Sequence, residues 1–222
     1  MKQLKVFLIV GFVMTAWARA QETPKVVLIT LDGLRWQELF MGADSLLVAN
    51  PDYVKDTLML KTAFWRETPE ERRKVLMPFF WGEAARMGQI HGNRILGSKM
   101  DLTNKMWFSY PGYNEILTGK ADDKNINSND KIPNPNVTIM EKYNQTDVGK
   151  GKVAAFGSWD VFPYIINEER SGIPVNAGFE SATENLNHRE IFLNELQEQV
   201  PSPWGSVRLD VLFSYAPMHS GG

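Results

Sequence analysis

Cysteine is absent from all 222 residues. Disulfides, zinc–thiolate centres and a cysteine nucleophile are thereby excluded. Charge of one sign is not in excess either: 24 basic side chains face 26 acidic ones, for a formal net charge of −2. That balance argues against nucleic acid or an anionic membrane as a partner. Histidine is scarce, confined to His91, His188 and His219. Beyond the N-terminus no apolar run approaches the roughly 20 residues that cross a bilayer. There is no internal repeat and no low-complexity tract.

What remains is an ordinary globular composition. A hydrophobic fraction of 43% is enough for a packed core. The length suits one domain or two small ones. The N-terminus reads as a targeting segment. Lys2 and Lys5 precede an apolar run over residues 6–16, and Ala18-Arg19-Ala20 follows as a small-x-small cleavage site. Residues 1–20 are therefore expected to be a signal peptide, and residues 21–222 an exported α/β domain with no membrane span after cleavage. The expected location is periplasmic or extracellular.

Along the mature chain, strand and helix patterns alternate, which favours a mostly parallel sheet flanked by helices. Residues 25–31 (KVVLITL) form a short β-branched apolar run suited to a strand buried on both faces. Residues 105–108, 152–157 and 174–177 are further strand candidates, with residues 89–92 a weaker one. Thr68-Pro69-Glu70-Glu71 is a helix start with a capping box, interrupted at Pro78 and stopped at Gly88. Residues 114–118, 137–143 and 183–200 read as helical. Residues 120–136 form a polar loop long enough to carry function.

Two places carry chemistry. Asp32 follows the first strand candidate directly, at the carboxyl end where open α/β sheets bind ligands. Its carboxylate is a hard oxygen donor for zinc, magnesium or manganese. As a bare Asp-Gly turn it has an equally plain structural explanation. Ser109 lies between a strand candidate and a helix, beside that helix's free amides, where a phosphoryl group is well held. A serine hydroxyl needs a base or a metal to become a nucleophile, and no histidine is near in sequence. Serine at such a place also serves simply as a helix cap.

Residues 25–40 (KVVLITLDGLRWQELF), followed by residues 108–119 (FSYPGYNEILTG), resemble the alkaline phosphatase superfamily. The similarity is to its nucleotide pyrophosphatase/phosphodiesterase and phosphoglyceromutase-like branch. It extends over roughly residues 25–175. The resemblance implies an alkaline phosphatase-like fold and a hydrolase of small phosphorylated substrates. Asp32 and Ser109 would be metal ligands, and Ser109 would form a covalent phosphoenzyme. Two divalent ions are implied, zinc foremost, with manganese or magnesium as alternatives. An asparagine of the polar loop would bind phosphate, either Asn127 or Asn129. The sequence departs from the pattern in two ways. Pro111-Gly112-Tyr113 replaces the branch's Pro-Asn-His, and Tyr113 stands where a sulfatase carries arginine. The Asp-His pair expected from the family's later half is missing, and neither Asp160 nor Asp210 belongs to a motif. The expectation is thus an incomplete fold carrying the front half of a site. The alternative is a truncated, non-catalytic exported protein that binds or interacts through the same half.

Overall fold

The computed structural model describes residues 25–183 and 185–199. Its first half is a layer of short helices: α1 (Trp36–Met41), α2 (Ser45–Ala49), α3 (Thr57–Phe64) and α4 (Pro69–Leu76). Local chemistry sets their starts. Asp44 accepts the Leu46 and Leu47 amides to cap α2, and Asp56 accepts the Met59 amide to cap α3. Thr68 and Glu71 form the reciprocal capping box, with Pro69 at the first position of α4. α4 ends before Pro78. A π-helical turn (Phe80–Ala84) and α5 (Ala85–Met87) then continue to Gly88.

The C-terminal carbonyls of α1 lack partners within their own helix. Side chains from downstream supply them. Arg72 Nε donates to Met41 O at 3.3 Å, an Arg73 guanidinium nitrogen to Phe40 O at 3.2 Å, and Trp81 Nε1 to Leu39 O at 3.0 Å. The Arg73 guanidinium also lies over the Trp81 ring, 4.0 Å from its centroid. Gly42 makes the close approach feasible. It has φ +75°, and a Cβ there would stand 2.4 Å from Arg72 backbone.

The second half carries the core. α6 (Ser109–Thr118) leads into the loop over residues 120–136, then α7 (Ile139–Asn144), β1 (Ala155–Gly157), α8 (Phe162–Ile166), α9 (Glu168–Ser171), β2 (Val175–Ala177) and α10 (His188–Gln199). β1 and β2 pair in parallel, Ala155 opposite Val175 and Gly157 opposite Ala177. Tyr113, Leu117, Ile165, Ile173 and Val175 are buried together between this pair, α6 and α8. Removing each such side chain from water contributes about 1.5–3 kcal/mol. The chain is thus α/β, with helices around a small parallel sheet.

Three strand expectations are not met. Residues 25–31 join no ladder among the described residues, and Val26 and Ile29 are 89% and 69% exposed. A parallel strand buried on both faces needs neighbours on both edges. The described residues supply only two short strands, which pair with each other. Residues 105–108 are interrupted by Trp107 at φ 57°, a left-handed conformation incompatible with an extended run. Residues 89–92 are also outside any ladder. Among the described residues no helix is long and apolar enough to cross a membrane. The expected signal peptide, Asp210 and His219 lie outside the described residues.

Candidate functional site

Ser109 is the first residue of α6, not its cap. Phe108 occupies the cap position, extended and without a side-chain hydrogen bond. The helix therefore begins with few competitors for its free donors. Pro111 has no amide hydrogen, and the Gly112 amide turns back to Phe108 O at 3.4 Å. The Tyr110 amide donates to Asn129 Oδ1 at 3.0 Å. Among the described residues the Ser109 hydroxyl and amide have no hydrogen-bond partner. Both belong to the first residue of a 10-residue helix, at its positive end.

Asp32 lies in the exposed turn after residues 25–31, where Gly33 has φ +74°. Its link to α6 runs through Tyr113. Burial raises the Tyr113 phenol above its ordinary value, a hydrogen bond from the Thr30 side chain opposes this, and the Asp32 carboxylate raises it further. Tyr113 stands four residues after Ser109 in α6, one turn along the same helix face.

The rest of the site is scaffold. Glu115 is nearly buried and accepts four hydrogen bonds: Thr103 N at 2.7 Å, Thr103 Oγ1 at 2.7 Å, Asn104 N at 2.9 Å and Asn104 Nδ2 at 2.9 Å. Burial pushes its carboxyl up, but the Asn104 and Thr103 donors outweigh that and hold it down to about 2. This fixes the segment approaching Ser109 onto α6.

The loop is fixed by a second set of polar contacts. Asn114 and Asn134 are both fully buried. Asn114 Oδ1 accepts Asn134 Nδ2 at 3.3 Å and Asn136 Nδ2 at 3.2 Å, while its own Nδ2 donates to Lys120 O at 3.1 Å. The Tyr110 hydroxyl donates to Ile132 O at 2.7 Å. Buried polar groups persist only when satisfied in this way. Sequence reasoning passed over Glu115, Asn114 and Asn134. The available signals were polar residues inside an otherwise apolar helix and the Asn134-Pro135-Asn136 repeat in the loop.

The structure separates the two loop asparagines. Asn129 contacts the backbone beside Ser109. Asn127 is exposed and lines a shallow hollow with Ile126 and Pro133. Since Asn129 Oδ1 is committed to an amide, its Nδ2 donor is turned away from that bond. Other candidate ligands are not assembled. His91 and His188 are exposed, and Asp160 pairs with Lys131 at 2.7 Å. No group of three or more His, Cys, Asp or Glu able to hold a metal occurs among the described residues. Asp32 and Ser109 offer oxygen donors of the type a hard divalent ion takes, but two donors do not make a closed two-ion site.

No family model, curated protein or solved structure matches the chain.

Proposed function

We propose that this chain carries the front half of an exported, metal-dependent phosphoester hydrolase site of the alkaline phosphatase type. Ser109 is its nucleophile, Asp32 is a metal ligand, and Asn129 rather than Asn127 is the phosphate-binding asparagine. The observation that supports this reading is the start of α6, where the Ser109 hydroxyl and amide have no hydrogen-bond partner among the described residues. The Asp32 carboxylate acts on a phenol one helical turn from Ser109.

The chemistry follows from the groups at the helix start. A phosphoryl group seated there would meet the Ser109 amide and the Nδ2 donor of Asn129, both suited to its oxygens. Ser109 Oγ then forms a bond to phosphorus as the bond to the departing alcohol breaks. Water later cleaves the serine phosphate and restores the hydroxyl. A divalent ion would supply the acidity that removes the hydroxyl proton at neutral pH. Of its ligands, the described residues offer Asp32 and Ser109. Substrates are small phosphorylated molecules, monoester or diester, and export follows from the N-terminal segment.

A second reading is favoured by the sparse ligand set: an exported binding or interaction protein with the same half-site and no turnover. One experiment separates the two. The full chain is incubated with zinc or manganese and an aryl phosphate, then digested and mapped by mass spectrometry. Phosphate on the peptide containing Ser109 supports the hydrolase. Its absence together with no bound metal supports the binding protein.

A further inference from the structure

We propose that residues 25–31 are a docking strand for a second copy of this chain, and that two copies associate by antiparallel pairing of this segment. The pairing holds whether or not Ser109 is a nucleophile.

Val26, Val27, Leu28, Ile29 and Leu31 are all between 60% and 89% exposed. Elsewhere among the described residues, exposed large apolar side chains stand singly or in adjacent pairs. Such scattered exposure is ordinary, and an unbroken run of it is not. The backbone sets the run apart as well. Residues 25–31 lie outside every helix and strand, and among the described residues none of their amides or carbonyls takes part in a backbone hydrogen bond. A row of open donors and acceptors on a β-branched segment without proline or glycine is a template for a further strand. The Thr30 side chain is hydrogen-bonded to Tyr113 of α6. That contact anchors the run on the molecule, so association has less ordering to impose.

Length and charge select the partner and its direction. β1 and β2 are three residues each, too short to match a run of seven. Lys25 opens the run and Asp32 follows it, both exposed and neither in an ion pair among the described residues. Parallel pairing of two copies would bring lysine to lysine and aspartate to aspartate. Antiparallel pairing sets the Lys25 end of each run beside the Asp32 end of the other, and opposite charges on neighbouring strands attract. The same segment supplies both sides, so the contact is isologous and closes at two copies. One short strand falls below the roughly 800 Å² per partner of a standard interface, so the dimer is a weak one.

The test is sedimentation equilibrium of the full chain across the micromolar range. Wild type should show a monomer–dimer equilibrium. Leu28→Pro removes an amide hydrogen at an exposed position, so it should stay monomeric while keeping the wild-type urea midpoint. Lys25→Asp makes both ends of the run acidic and should weaken the dimer about tenfold. Lys25→Asp combined with Asp32→Lys should restore most of that loss. A wild-type chain that stays monomeric, species larger than a dimer, or an undiminished dimer in Leu28→Pro overturns the proposal. So does a loss in Lys25→Asp that the charge exchange leaves unrepaired.

Discussion

Asn129 Oδ1 accepts the Tyr110 amide at 3.0 Å, across 19 residues of chain. This one bond brings the polar loop to the residue beside Ser109. It also distinguishes two asparagines that sequence alone leaves equivalent. Asn129→Ala should lower kcat/KM for an aryl phosphate about tenfold to a hundredfold, as expected for losing a hydrogen bond to a charged group worth about 1.5–3 kcal/mol. Asn127→Ala should change it little. Steady-state kinetics on both variants checks this, and the opposite ranking would reassign the phosphate contact.

Glu115 makes a pH-dependent contribution to stability. Its carboxyl, ordinarily near 4.5, is held down to about 2 in the folded chain. The unfolded state therefore takes up the proton first as pH falls. The contribution is present in full above about pH 4.5 and is lost as pH drops toward 2. Glu115→Gln removes this dependence. Urea unfolding between pH 6 and 2 should show a shallower loss of stability in the variant than in wild type. Parallel curves would show that Glu115 is not held by its four donors.

Arg170, itself partly in solvent, closes an ion pair with a buried carboxylate. Its guanidinium donates to both Glu141 carboxylate oxygens, at 3.0 and 2.7 Å, and to Asn134 O at 2.7 Å. Glu141 is only 1% exposed. Removing the partner leaves a buried carboxylate uncompensated, which typically costs about 3–5 kcal/mol. Arg170→Met should therefore lower the urea midpoint substantially, and Arg170→Met with Glu141→Met should recover much of the loss. A midpoint unchanged in the single variant would mean that water reaches Glu141.

Local features were legible in the sequence, and features depending on distant partners were not. The Thr68–Glu71 capping box needs only four consecutive residues, and it forms as the sequence indicates. Gly119 stops α6 in the left-handed conformation expected of it. α6 starts at Ser109, five residues before the helical stretch expected over residues 114–118, and takes in Pro111 and Gly112. Proline is tolerated in a first turn, and Gly112 fits closely, a Cβ there lying 3.3 Å from Leu102 Cδ1. The run over residues 25–31 has the composition of a buried strand, but composition cannot provide the neighbours that make one. Glu115 looked unremarkable for a related reason: its donors lie 11 and 12 residues upstream. Of the candidate site, the sequence singles out Asp32 after a strand-like run and Ser109 before a helix, and the structure does place Ser109 at a helix start.

The central claim is that Asp32 and Ser109 act at one centre, and a double-mutant cycle tests it most directly. The quantity is kcat/KM for 4-nitrophenyl phosphate with zinc or manganese, measured for the full chain, Asp32→Ala, Ser109→Ala and the double variant. Residues that act as a unit are strongly non-additive. The account predicts that each single variant falls to background and that the double variant is no worse than Ser109→Ala alone. Turnover that survives Ser109→Ala, or independent losses that simply add, would contradict it.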